Sequence, residues 1–128
     1  MSTLMAPVSI GELADKITIL EIKAERIGDA QKLVNVRTEL DGLLPLWTPL
    51  ADKQPEMAEL KAALRDANTR MWDVQDALRA KEAAQDFGDE FIELARAVAR
   101  HNGDRVEVKN TINRLAGSRF VEEKQYRA

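Results

Sequence analysis

Apolar residues recur near the start of the chain in alternating steps of three and four, a heptad-like spacing that places them on one face of an α-helix. The positions are Ile10, Leu13, Ile17, Leu20, Ala24 and Ile27. Ile19 and Ile22 are apolar outside that face, and a helix with more than one apolar side has neighbours on more than one side. Ser9 and Glu12 have the spacing of a capping box. The pattern predicts a central helix beginning at Ser9.

A second apolar set would lie roughly opposite the first on a continuous helix. Its members are Leu33, Val36, Leu40, Leu43 and Trp47. Gly28 and Asp29 between the two sets suit a helix end followed by a new N-cap, which predicts a turn. A continuous helix with partners on both faces also explains the pattern, because a mid-helix glycine costs only about 1 kcal/mol. We favour the turn, and we expect Pro45 to end the second helix.

The longest repeat comes next and predicts one long helix over about 55–84. It consists of Met57, Leu60, Leu64, Ala67, Met71, Val74 and Leu78. Two short helices are expected after it, separated at Asn102 and Gly103, with the second starting at Asp104 and ending at Gly117. The whole pattern predicts an all-α antiparallel helical hairpin or bundle. We expect a single domain, 1–128, with an N-terminal arm at 1–8 and a tail at 118–128.

Composition narrows the functional classes. The 128 residues contain no cysteine, which excludes disulfides and thiolate chemistry, and the net charge of −3 disfavours non-specific nucleic-acid binding. No apolar run approaches the roughly 18 residues of a membrane span, and the N-terminus does not resemble a signal peptide. We therefore expect a cytoplasmic protein with neither membrane nor nucleic-acid partners. No cofactor-binding motif is recognised.

Several segments resemble a family of small, all-helical bacterial proteins of unknown function. The segments are SIGELADKITILEIKAERI at 9–27, DAQKLVNV at 29–36, Asn68 with Trp72, Ile112 with Asn113, Gly117 with Ser118, and EEKQY at 122–126. The resemblance covers nearly the whole chain, and its first segment is the most specific. It implies a setting among glycosyltransferase-type proteins of surface-glycan pathways. It implies no catalytic residue.

The C-terminal part contains a basic segment, residues 96–119. Its cations are Arg96, Arg100, Arg105, Lys109, Arg114 and Arg119, against only Asp104 and Glu107. Arg105 and Lys109 lie at the edge of the predicted buried face, and Asn113 continues their line. Arginine suits phosphate or carboxylate ligands, so these residues are candidates for binding an anionic molecule. Salt bridges to the acidic long helix, for example to Asp73, Asp76 or Glu82, are the alternative that we favour.

One stripe of the long helix contributes further candidates. Asn68, Trp72, Asp76 and Arg79 share it, and a tryptophan beside polar groups can stack on a sugar or a base. More often such a tryptophan covers the rim of the core. The candidate ligand-binding residues are therefore Arg105, Lys109, Asn113, Trp72, Asn68 and Arg79.

Acidic pairs one helical turn apart are the only metal-ligand pattern. They are Glu12/Asp15, Glu56/Glu59, Asp73/Asp76, Asp86/Asp89, Glu90/Glu93 and Asp104/Glu107. With 22 acidic residues, such pairs arise by composition, so we interpret them as solvated helix surface and expect no metal. If a site exists, Asp73 and Asp76 facing Glu90 and Glu93 would form it. The single histidine, His101, is expected in the last turn of a helix, where its charge suits the carbonyl end.

The sequence favours a non-enzymatic interaction or accessory module that self-associates, because heptad-spaced apolar residues are abundant and catalytic side chains are scarce. The expected partner is a second copy or another protein. The alternative is a binder or hydrolase of a phosphorylated small molecule, such as a nucleotide or sugar nucleotide, that uses the basic C-terminal patch.

Overall fold

The computed structural model describes residues 2–117 and residue 123. Four helices account for most of this part of the chain: α1 (Ile10–Arg26), α2 (Ala30–Lys53), α3 (Glu56–Ala83) and α4 (Asp89–Ala116). No strand occurs among these residues, so the predicted all-α class is confirmed. The predicted tail at 118–128, with Arg119, lies outside the described residues except for residue 123.

Helix α1 is central, as its two apolar sides predict, because it contacts each of the other three helices. Ala14, Ile17, Leu20 and Ile22 are all buried along it. Ser9 is its N-cap, and the Ser9 hydroxyl accepts a 3.0 Å hydrogen bond from the amide of Glu12. This half of the predicted capping box is present. The Glu12 side chain instead forms an ion pair with α4.

The chain does turn at Gly28. Helix α1 ends at Arg26, and Asp29 caps α2 by accepting a 3.0 Å hydrogen bond from the amide of Lys32. Ile27 and Asp29, on either side of Gly28, have extended backbone conformations, and this interrupts the helical path between α1 and α2.

The predicted end of α2 at Pro45 is wrong, because the helix continues through Pro45 and Pro49 to Lys53. Both prolines are exposed, whereas Trp47 between them is buried in the core cluster. Each proline inside a helix costs roughly 3 kcal/mol, and burying one large apolar side chain contributes about 1.5–3 kcal/mol. Trp47, Leu50 and Ala51 all follow Pro45 and pack in or against the core cluster, so their burial offsets the cost of continuing the helix.

The long helix is present as α3, but the two short C-terminal helices are wrong. Asn102 and Gly103 lie inside a single helix, α4, which is as long as α3. Ala97 before Gly103, and Val106 and Ile112 after it, are all buried. Their packing exceeds the cost of about 1 kcal/mol for an interior glycine. Gly117, with φ of 71°, ends the helix as predicted.

The core occupies only one end of the α3–α4 hairpin. The core cluster contains Ala14 and Ile17 of α1, Trp47 of α2, Met57 and Leu64 of α3, and Ile112 of α4. By contrast, no side chain in residues 69–96 is buried. We call this segment, the second half of α3 with the first turns of α4, the distal hairpin.

Candidate functional site

Polar side chains from three helices meet between α1, α3 and α4 and form what we call the polar seam. Its members are Glu12, Asp15, Thr18, Asn68, Arg105, Lys109 and Asn113, together with the backbone of Gly11. Arg105, Lys109 and Asn113 follow one another at four-residue spacing, which places them on one face of α4. That face packs along α1, which runs in the opposite direction.

At one end of the seam, α1 and α4 approach closely. The amide of Gly11 donates a 2.7 Å hydrogen bond to Oδ1 of Asn113, and a Cβ atom on Gly11 would lie 2.5 Å from the carbonyl oxygen of Lys109. The first amides of a helix have no partner within it. Asn113 therefore supplies one from α4, and glycine is required at position 11 for the helices to be near enough.

In the middle of the seam lies a buried lysine. The Lys109 side chain is 2% exposed, and its Nζ lies 2.5 Å from Oε1 of Glu12 and 3.8 Å from Oδ2 of Asp15. An ammonium group is buried this deeply only when carboxylates compensate for its lost hydration. The acidic pair of α1 provides both of them.

Asp15 is the junction of the three helices. Its Oδ2 accepts a 2.8 Å hydrogen bond from Nη2 of Arg105, and its Oδ1 accepts a 2.9 Å bond from Nδ2 of Asn68. The same amide nitrogen of Asn68 donates a 2.9 Å bond to Oγ1 of Thr18, which in turn donates to the backbone carbonyl of Asp15. Both carboxylate oxygens of Asp15 are thus held by other elements.

Two carboxylates and two cations give the seam no net formal charge, which makes it a poor electrostatic trap for an anion. Some buried nitrogen atoms nevertheless have no hydrogen-bond partner among the described residues, namely Nε of Arg105, Nδ2 of Asn113 and Nδ1 of His101. Residues 105 and 113 are about 12 Å apart along the helix axis. These atoms are therefore too widely spaced to converge on one small ion.

The structure brings together four of the six candidate ligand-binding residues. Arg105, Lys109, Asn113 and Asn68 belong to the seam. Trp72 is half-buried one turn beyond Asn68, and Arg79 is exposed on the distal hairpin.

The partners of the basic residues differ from those we expected. Arg105 and Lys109 form salt bridges, but with α1 and not with Asp73, Asp76 or Glu82 of α3. The interpretation of Asp15 as solvated surface is wrong, because Asp15 is buried, whereas the Glu12 side chain is 46% exposed. The sequence contained one signal for this pairing: Glu12 and Asp15 are one helical turn apart, and so are Arg105 and Lys109.

The four carboxylates that the sequence analysis named as possible metal ligands do not converge on one point. Each forms an ion pair with a cation: Asp73 with Arg26, Asp76 with Arg79, Glu90 with Lys81, and Glu93 with Arg96. Within the described part of the chain, no group of three or more acidic or histidine side chains is arranged to hold a metal ion. His101 lies in the interior of α4, so the expectation that it neutralises a helix end is also wrong.

A second charged cluster closes the turn between α3 and α4. Nζ of Lys81 lies 3.1 Å from Oδ2 of Asp86 and 2.6 Å from Oε2 of Glu90. Hydrogen bonds to Glu90 and Asp86 raise the pKa of Lys81. The hydrogen bond from Lys81, followed by that from the Gly88 amide, lowers the pKa of Asp86. These charges hold the turn together, with the Lys81 side chain 25% exposed and both carboxylates more than half exposed.

Over residues 2–117, the fold and the polar seam define an all-α arrangement of four helices whose most deeply buried charged side chains are paired with one another. None of the helices within residues 2–117 has the length and apolar character that crossing a membrane requires. The chain belongs to the family of unknown function DUF6165, whose model matches residues 4–128. No curated protein and no solved structure matches the chain.

Proposed function

We propose that this protein is a non-enzymatic helical interaction module and that its contact surface is the distal hairpin. The observation that carries the proposal is the absence of any buried side chain in residues 69–96, although apolar residues continue through this segment. A helix hairpin with apolar positions and no third helix over its end leaves those positions partly exposed to water. A partner that covers them gains about 25 cal/mol for each Å² of apolar surface removed from water.

Two large apolar side chains of this segment are exposed, as are Val34 and Leu46 of α2. Phe87 is 49% exposed and Ile92 is 51% exposed. Phe87 packs edge-to-face against Phe91, with ring centroids 5.2 Å apart, so the two aromatic rings form an ordered surface. Aromatic side chains presented in this way are typical of protein contact sites.

The polar seam supports the non-enzymatic part of the proposal. Its carboxylates and cations are already paired with each other, and Lys109 and Asn113 are 2% and 1% exposed. Side chains in such a position hold helices in register. A substrate would have to displace α1 to reach them.

The proposal extends to the cellular setting. The resemblance of residues 9–27 supports a bacterial protein that acts beside glycosyltransferase-type proteins of surface-glycan pathways, and we propose the cytoplasm as its compartment. In this setting the module joins proteins and does not itself modify the glycan.

Site-specific photo-crosslinking tests this function. A photoreactive benzoylphenylalanine replaces Phe87 in one variant and the exposed Thr38 of α2 in a matched control, both in cells that express the protein. We expect discrete adducts from position 87 and none from position 38, with a second copy or another protein as the captured species. The absence of adducts at position 87, or the same adducts at both positions, would contradict the proposal.

A binder of a phosphorylated small molecule is the second candidate. Nε of Arg105 and Nδ2 of Asn113 have no hydrogen-bond partner among the described residues, and only a molecule as long as a nucleotide or sugar nucleotide could contact both of them. Thermal-shift measurements with nucleotides and sugar nucleotides test it. A ligand of this site should stabilise the wild type and the Arg100→Gln control, which alters an exposed cation of α4, but should not stabilise Arg105→Gln. No stabilising ligand, or equal stabilisation of all three proteins, would rule out this candidate.

A further inference from the structure

An open groove runs along the distal hairpin between α3 and α4, with a volume of about 400 Å³. Its lining is formed by Leu78, Arg79 and Glu82 of α3 and by Phe91, Ala95 and Val98 of α4. The groove therefore has an apolar floor, and a cation and a carboxylate lie side by side at its α3 rim.

We propose that the groove is filled by the distal hairpin of a second copy of this chain, and this rests on the proposed function of the hairpin as a contact surface. A hairpin supplies two of the helices of a four-helix bundle, and a second hairpin supplies the other two. In a dimer with a two-fold axis the same surface lies on both subunits, so it must be complementary to itself.

Arg79, which also pairs with Asp76 of its own helix, and Glu82 provide this complementarity. They are three residues apart on α3, so a two-fold axis that crosses α3 between them aligns the two α3 helices antiparallel. Arg79 of each copy then lies opposite Glu82 of the other, and the pair occurs twice. A parallel alignment would instead place Arg79 against Arg79 and Glu82 against Glu82, which is repulsive.

The charges at the tip of the hairpin favour the same alignment. Asp86, Asp89 and Glu90 are all exposed there, whereas Lys81 is the nearest cation. Two tips side by side would bring these carboxylates together. The antiparallel arrangement places the two acidic tips on opposite sides of the two-fold axis, so that they do not lie side by side.

Sedimentation equilibrium of the full chain across the micromolar range tests the inference. We expect a dimer for the wild type. Ala95→Arg should remove it at every concentration, because a long cation fills the groove while Ala95 itself is exposed and contributes little to folding. Ala80→Arg is the matched control, since Ala80 is an exposed alanine of the same hairpin outside the groove, and it should remain dimeric.

Charge reversal tests the alignment. Arg79→Glu and Glu82→Arg should each weaken the dimer about tenfold, because two opposite-charge pairs become like-charge pairs. The double variant Arg79→Glu/Glu82→Arg should recover the wild-type affinity. Reversal of the exposed pair Lys16 and Glu39, which lies on α1 and α2, should have no effect. Circular dichroism shows that each variant is folded.

Three results would overturn the inference: a wild type that is monomeric throughout, a dimer that survives Ala95→Arg, or a double variant that does not recover. If the wild type is monomeric while crosslinking at position 87 captures a different protein, this inference fails and the proposed function stands. If crosslinking at position 87 also captures nothing, both fail.

Discussion

The backbone amide of Gly11 donates a 2.7 Å hydrogen bond to Oδ1 of Asn113, 102 residues further along the chain. The bond connects the first turn of α1 to the last turns of α4. It satisfies an amide that the helix itself cannot satisfy, and it does so with a side chain that is 1% exposed. The start of α1 and the end of α4 are therefore stabilised by each other, which makes this contact sensitive to any added volume.

Gly11→Ala should lower the free energy of unfolding by about 1–3 kcal/mol, because the new methyl group meets the rigid backbone carbonyl of Lys109. Gly42→Ala is the control, since Gly42 lies inside α2 with open space around it. That change should stabilise the protein by up to about 1 kcal/mol through helix propensity. Urea denaturation followed by circular dichroism measures both. Equal effects of the two substitutions would contradict the close approach of α1 and α4.

Asp15→Asn should destabilise the protein by roughly 3 kcal/mol or more, because it leaves the buried Lys109 and the half-buried Arg105 without one of their compensating charges. Lys16→Gln, on the adjacent residue, breaks an exposed ion pair with Glu39 and should cost less than about 1 kcal/mol. Chemical denaturation of both variants gives the comparison. A small effect for Asp15→Asn would show that the seam is open to water.

The pKa of Asp86, measured by an NMR titration of its carboxyl group, should lie below the ordinary value of 3.8, because Lys81 and the Gly88 amide donate to the charged form. The contribution of this group to stability is present above its ordinary pKa and is lost as the pH falls through the lowered one. Lys81→Ala should move the midpoint back towards the ordinary value. An unchanged midpoint in that variant would assign the shift to the Gly88 amide alone.

Backbone amides of the distal hairpin should exchange with deuterium faster than those at the centre of α1, because no side chain of residues 69–96 is buried whereas Ala14, Ile17 and Thr18 are fully buried. Hydrogen-exchange mass spectrometry at low protein concentration measures the difference. Uniformly slow exchange in both regions of a monomer would mean that the hairpin needs no partner to be stable.

The apolar repeat of α3 shows how far hydrophobic spacing predicts burial. Met57, Leu64 and Ala67 are buried as their spacing predicts, but Leu78 continues the same repeat and is only half-buried. Spacing identifies the face of a helix that is apolar. It does not indicate where along the helix the neighbouring helices end, and here α1 is too short to cover the whole hairpin.

The break between α1 and α2 was predicted correctly, because no buried side chain there favours a continuous helix. The breaks predicted at Pro45 and at Asn102–Gly103 were wrong, because side chains beyond them pack in the core. At Asp29 the side chain caps the next helix, and no buried neighbour favours continuity. At Pro45 and Gly103 the local preference for a break is real, but Trp47 and Val106 are buried beyond them. The preference of a few kcal/mol is smaller than the gain from continuing the helix into the core.

The sequence alone determined the helical class, the N-caps at Ser9 and Asp29, and the apolar face of each helix, because these depend on residues within one or two turns of each other. Only the tertiary structure decided that α4 is continuous and that Glu12 and Asp15 face Arg105 and Lys109 at the α1–α4 contact. The pairing of charges from opposite ends of the chain depends on how the helices cross. The resulting close contact between α1 and α4 requires a glycine at position 11, whereas the sequence around Gly11 shows only a residue of low helix propensity.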